Sequence, residues 1–230
     1  MAEKDEVRPP RLTRAIIIGT AVEFIDEQGL AGLSMRRLGQ QLGVEAMAIY
    51  YHVPGRDALL DGVVEAIIEE MRADEDVLEQ PVTGWEHFVV QLAHGIRRIA
   101  LAHPKCFPLV ASRPPEAPWL RPPLRSLFWV EAFINGLRSE GFGDDAVVGA
   151  YRAFTSFLLG HLLLEVSAHD ADVGPLDVLE EPVEPAEGEL AAYPSVKELR
   201  ESLSADHAQV EFEESLENLV DRMALMRTEG

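Results

Sequence analysis

The chain has 230 residues, 47% of them hydrophobic, enough for one small and one medium-sized buried core. Its formal net charge of −20 sits awkwardly with nucleic-acid binding, and its single cysteine, Cys106, excludes an internal disulfide and fits a reducing compartment. No run of about 18 apolar residues predicts a membrane span, and the charged opening has no signal-peptide core. A cytoplasmic protein is therefore expected.

Residues 1–10 are charged and end in two prolines, which predicts a disordered tail. Residues 11–29 follow as an amphipathic helix. Ile17, Ala21, Phe24 and Ile25 fall on one face, Thr13 offers an N-cap and Gly29 a stop. Residues 34–56, SMRRLGQQLGVEAMAIYYHVPGR, have the spacing of a helix-turn-helix. Leu38, Leu42 and Ile49 are apolar, Gly39 is small where a second helix would cross, and Gly43 can turn the corner. The second helix, expected over about 45–51, ends in Tyr50-Tyr51-His52. These rings, with Arg36, Arg37 and Arg56 near, suit contacts to phosphates and base edges. A fourth helix is expected over 55–72, with Leu59, Val63 and Ile67 on one face.

Residues 74–83 read as an acidic linker. Residues 85–102 read as a helix through Phe88, Leu92, Ile96 and Ile99. Seven prolines between 103 and 123 argue against a long helix there. Helices are expected again over 124–139 and 145–168, the second capped by Asp144 and nearly all apolar from Phe154 to Leu164. Residues 169–194 hold eight acids and four prolines and read as a mobile loop. Two helices, about 195–203 and 206–227, end an all-α chain.

The charge is unevenly placed. Residues 1–56 hold seven Lys/Arg and seven Asp/Glu, so the remaining 13 bases and 33 acids carry the whole −20. The acid lies away from the helix-turn-helix, and screening over about 8 Å in cellular salt limits its reach.

Residues 11–72 resemble, without a gap, the DNA-binding domain of the tetracycline-repressor (TetR) family of transcriptional regulators. The resemblance runs through RLTR, FIDEQGL, GLSMRRLGQQLGVE, IYYHV and GRDALLD. More loosely, residues 85–230 resemble the C-terminal ligand-binding and dimerisation domain of the tetracycline-repressor class. There FEESLENLVDRM (212–223) is similar to the last helix, and Ser112-Arg113-Pro114 falls at a turn near the ligand. The resemblance implies an all-α, homodimeric repressor on a palindromic operator in double-stranded DNA, released by a small hydrophobic effector. An effector-independent or activating regulator is the alternative.

The same resemblance implies the roles of individual residues. Arg36 would reach a base; Tyr50, Tyr51 and His52 would meet mostly phosphates, and Arg56 a phosphate at the start of the fourth helix. The family class has polar or kinked residues where this chain has Ala46, Met47 and Ala48. Alanine and methionine make no bidentate hydrogen bonds to bases but can touch a thymine methyl, so the operator should differ. Phe157, Leu216, Leu219, Val220 and Met223 would form the dimer interface with the 145–168 helix.

For the ligand, the resemblance puts Arg72 in place of one histidine of the tetracycline–magnesium site. Leu109 or Val110 replaces its metal-ligating histidine, and Glu165 stands one residue out of register. No metal and no cofactor is therefore expected. His94, His103, Phe107, Val110, Phe128, Phe154, Phe157, His161 and Glu165 remain as an apolar and aromatic candidate pocket with isolated polar groups. His161 and Glu165, one helical turn apart, are close enough for acid–base work. No nucleophile motif or cofactor loop accompanies them, so no enzyme is expected.

Overall fold

The computed structural model describes residues 12–74, 76–77, 79–113, 117, 119–120, 126–169, 171 and 192–229. Among these every regular element is helical. The expected tail at 1–10 and most of the expected loop at 169–194 lie outside the described residues.

Helix α1, Arg14–Gln28, starts where the Thr13 hydroxyl accepts from the Ile16 amide at 3.2 Å. It stops where Gly29, at φ 77°, donates to the Ile25 carbonyl. Its buried residues are Ile17, Ile18, Ala21, Phe24 and Ile25. A 3₁₀ turn, Leu30–Gly32, leads into α2, Met35–Leu42, and α3, Ala46–His52. Helix α4, Arg56–Ala73, lies along α1 and buries Leu59, Leu60, Val63, Val64 and Ile67.

The expected linker after α4 is fastened to the next element. Asp74 accepts from the Arg98 guanidinium at 2.5 Å, and Val77 is buried with its side chain against Gly95. Helix α5, Trp85–Ala102, runs from there to a corner at His103, where α6, Phe107–Ser112, begins. This short helix was not expected from the proline density. Pro108 sits in its first turn, where a missing N–H costs no hydrogen bond.

Helices α7, Leu127–Ser139, and α8, Asp144–Ser167, pack against each other across the turn at Gly141. The expected Asp144 cap is not made. Gly143 occupies the N-cap, and the Asp144 carboxylate is held by Arg138 at 2.7 Å, across the turn. Helix α8 is long and apolar enough to cross a membrane by length and composition alone. Here it packs against α5, α6, α7 and the last helix, which makes it the central rod of this half. Short helices α9, Pro194–Glu198, and α10, Arg200–Leu203, precede α11, Ala208–Glu229. Helix α11 packs along α8 and buries Phe212, Leu216, Leu219 and Met223.

Candidate nucleic-acid interface and buried polar cluster

The α2–α3 motif is rigid because its inner side is full. Ser34 caps α2 by accepting from the Arg37 amide at 3.2 Å. Gly43 ends it at φ 68°, a left-handed conformation that a side chain disfavours. A Cβ on Gly39 would lie 2.8 Å from the Val44 carbonyl oxygen, so glycine lets the turn cross α2 at contact distance. Leu38 and Ile49, both 0% exposed, join the two helices.

What remains outside is a short helix face. Met47 is 77% exposed and Tyr51 88%, with Tyr50 and Ala48 also exposed and Ala46 and His52 partly so. Tyr51 and His52 meet edge to face at 5.1 Å. The three arginines part company. Arg36 is exposed and makes no ion pair or hydrogen bond among the described residues. Arg37 is a brace: it donates to the Gly32 carbonyl at 2.9 Å and to Gln28 Oε1 at 2.7 Å, and lies over the Phe24 ring. Arg56 donates to the carbonyls of Leu33 and Leu30. That ties the start of α4 to the loop before α2 and leaves only its remaining N–H groups for another partner.

The nine candidate pocket residues do not share one place. Four gather between α5, α8 and α11: His94, Phe157, His161 and Glu165. Two residues missed in the sequence complete this cluster, Arg97 and Phe212. Glu165 is 7% exposed and accepts from the Arg97 guanidinium, at 2.6 Å from Nη2 and at 3.1 and 3.2 Å from Nε. The Arg97 guanidinium also lies 5.0 Å from the centre of Phe212. The hydrogen bonds that Arg97 donates to Glu165 hold it more firmly protonated than an ordinary arginine. The rings of His94, Phe157 and His161 surround Phe212 at 5.3–5.7 Å. His161 Nε2 is buried without a hydrogen-bond partner among the described residues, 3.9 Å from Glu165. A buried carboxylate in an apolar helix calls for a cation. Applied to the sequence, that rule could have singled out Arg97 and Arg98, the Lys/Arg residues of α5.

The other five lie elsewhere. Phe154 stacks on Phe133 at 5.0 Å in the core, and Phe107 is buried on α6 with Val110 half-buried beside it. Phe128 is surface-facing under the Arg72 guanidinium at 4.4 Å. His103 stands at the corner after α5. Its Nδ1 lies 2.6 Å from Asp26 of α1 and its Nε2 2.9 Å from Glu70 of α4. The hydrogen bond to Asp26 first, then Glu70, raises its pKa above the ordinary 6.5, against the opposing effect of burial. Leu109 and Val110 are apolar and both Glu165 oxygens accept from Arg97, and among the described residues no group of three or more His, Cys, Asp or Glu is placed to hold a metal ion.

The expected interface residues are mostly spent within the single chain. Leu216, Leu219 and Met223 are buried against the chain's own core, and Phe157 and Val220 are half-buried. The apolar residues left outside are Val148 and Leu164 on α8 and Val210 and Leu225 on α11.

Comparison with known proteins gives one answer along the chain. Residues 17–63 match the family model described as bacterial regulatory proteins, tetR family. Residues 79–226 match the tetracyclin repressor-like C-terminal domain. An HTH-type transcriptional regulator of Saccharopolyspora erythraea is 30% identical over 84% of this chain and 77% of its own. The class A tetracycline repressor of Escherichia coli is 30% identical over 69% and 68%. Among solved structures, the Streptomyces coelicolor TetR family protein ActR in complex with (S)-DNPA superposes with a TM-score of 0.67 at 25% identity. That match covers 95% of this chain and 99% of ActR.

Proposed function

The chain belongs to the tetracycline-repressor family of DNA-binding transcriptional regulators, and on that premise we propose that it is a homodimeric repressor, released from a palindromic operator by a small hydrophobic effector. The observation that carries the reading is the α3 face. A helix of seven residues exposes Met47, Tyr50 and Tyr51 while its inner side is locked by Ile49 and Gly39, and a free Arg36 stands on α2. Large side chains held in solvent on a packed helix fit a nucleic-acid surface. In this reading Arg36, Ala46, Met47 and Ala48 meet base edges. Tyr50, Tyr51 and His52 meet phosphates, joined by the unengaged N–H groups of Arg56. The site of action is the cytoplasm, where the operator lies.

The effector site is the cluster of His94, Arg97, Phe157, His161, Glu165 and Phe212. Its support is the mixture of aromatic rings with a buried ion pair and an orphaned His161 nitrogen. ActR, one of the structural neighbours, was solved in complex with (S)-DNPA. The dimer rests on the outer faces of α8 and α11, where Leu164 and Leu225 stay exposed in the single chain.

The test is selection of duplexes from a random-sequence pool by the purified protein, followed by sedimentation of the complex. A palindrome with half-sites about one helical turn apart and two chains per duplex is expected. No enriched sequence would overturn the DNA reading, and one chain per duplex would overturn the dimer.

A further inference from the structure

The reading helix has an unusual chemistry for its position. Direct readout by hydrogen bonds uses Arg or Lys on guanine, Asn or Gln on adenine, and Asp or Glu on cytosine. From Ala46 to Ile49, α3 has no such group, and its polar atoms begin only at Tyr50. Yet Met47 is 77% exposed, on a helix whose inner side is packed against α2. Ala48, next to it, is also exposed and leaves the backbone free to approach a partner closely. In the major groove one base presents an apolar group, the C5-methyl of thymine. A flexible, polarisable thioether chain fits such a target. The unpaired Arg36 on the neighbouring helix supplies the positive charge that a polyanionic duplex calls for.

We propose that this protein reads its operator by methyl contact, with Met47, flanked by Ala48, packed on the C5-methyl of a thymine at one fixed position in each half-site. The inference rests on the DNA-binding reading above and names the feature that this reading leaves open. Specificity at that step then comes from apolar burial, while Arg36 supplies the hydrogen-bonded contact. Uracil, which differs from thymine by that methyl alone, becomes the discriminating probe.

The experiment uses the full chain and the duplex it selects. Each thymine is replaced in turn by deoxyuridine, leaving base pairing intact. One symmetric position should lose affinity about fourfold per half-site, the worth of one buried methyl, and on the order of fifteenfold when both half-sites are changed. Met47→Ala, at a surface position that the fold does not use, should bind more weakly and lose the uracil penalty. Met47→Gln, put through a fresh selection, should replace thymine by adenine at that position. If the selected duplex binds equally well with every thymine replaced, the proposal falls while the DNA reading stands. A uracil penalty that persists undiminished in Met47→Ala, or a thymine retained by Met47→Gln, removes Met47 from the role. If no duplex is selected, both readings fall together.

Discussion

A bridging histidine and a buried ion pair carry charge that this fold has turned into structure. His103 bridges Asp26 and Glu70, so its imidazolium joins α1 and α4 to the corner after α5. Lys105 adds a bond to the Glu27 carbonyl at 3.3 Å, and the Cys106 thiol, buried beneath, lies 3.8 Å from the Val22 carbonyl. The folded pKa of His103 is raised, so the folded state binds a proton more tightly than the unfolded chain. Its stabilisation is complete below the unfolded value of 6.5 and is lost as pH rises through the higher folded one. Thermal unfolding followed from pH 6 to pH 9 should therefore show a declining Tm, about pH 7 upward. His103→Gln should flatten that slope. An equal slope in wild type and variant would place the titration elsewhere. The Arg97–Glu165 pair gives a second test. Both side chains are largely buried, so Glu165→Gln leaves an unpaired guanidinium and should cost roughly 3–5 kcal/mol in urea unfolding. The double change Arg97→Met with Glu165→Leu should cost less than the single one, because no charge is stranded. A double variant as unstable as the single one would mean that packing, not charge, sets the cost.

At the scale of elements, capping residues and apolar periodicity were the readable signals. Thr13 and Gly29 bound α1 as their chemistry requires, and the glycine spacing of α2–α3 is met by the contact at Gly39. That contact makes a sharp contrast testable. Gly39→Ala drives a Cβ against the Val44 carbonyl, a backbone atom that cannot step aside, and should cost about 1–3 kcal/mol. Gly19→Ala, on α1 with open space around it, should instead stabilise by about 0.5–1 kcal/mol. Chemical denaturation of both variants checks the pair, and two effects of the same sign would refute the close crossing. What could not be read were choices between partners. Helix α6 was hidden by proline density, because sequence alone does not say that Pro108 falls in a first turn. Asp144 had two uses, cap or ion pair, and Arg138 decided between them. Arg37 and Arg56 read as cations for phosphate, and the sequence did not show that both also donate to carbonyls of their own chain. The stripe on α11 was legible as apolar, yet periodicity does not say whether it faces its own core or a second copy. Leu216 and Met223 turn inward, which separates two variants that the sequence would treat alike. Leu216→Glu should unfold the chain, whereas Leu164→Glu with Leu225→Glu should leave it folded but monomeric by sedimentation at micromolar concentration. A folded dimer in the double variant would move the interface off these faces.

At the scale of the whole molecule, charged side chains join the two halves among the described residues. Asp74 is held by Arg98, His103 by Asp26 and Glu70, and Arg113 reaches back from the end of α6 to α4. The last of these has the reach to transmit a change. Arg113 donates to Asp61 Oδ1 at 2.9 Å and to the Asp57 carbonyl at 3.2 Å, one turn apart near the start of α4. Helix α6 is only six residues long and packs on both α4 and α8, which carries Phe157, His161 and Glu165. A ligand that displaces α8 or α6 therefore pulls on the helix that follows the α3 reading face. In the proposed dimer, two reading helices at a fixed spacing would make operator affinity sensitive to small rotations of α4. Linkage sets the form of the test: an effector that weakens operator binding must itself bind more weakly to the operator-bound dimer, by the same factor. A hydrophobic ligand found by thermal stabilisation of the dimer is titrated with and without the selected duplex. In the wild type the two dissociation constants should differ by about 5–150-fold, the usual span of such coupling. Arg113→Ala keeps both sites but cuts the side-chain link, so the ratio should move toward one with operator affinity little changed. A ratio the same in the variant as in the wild type would show that coupling passes through another contact, with the His103 corner the next to cut.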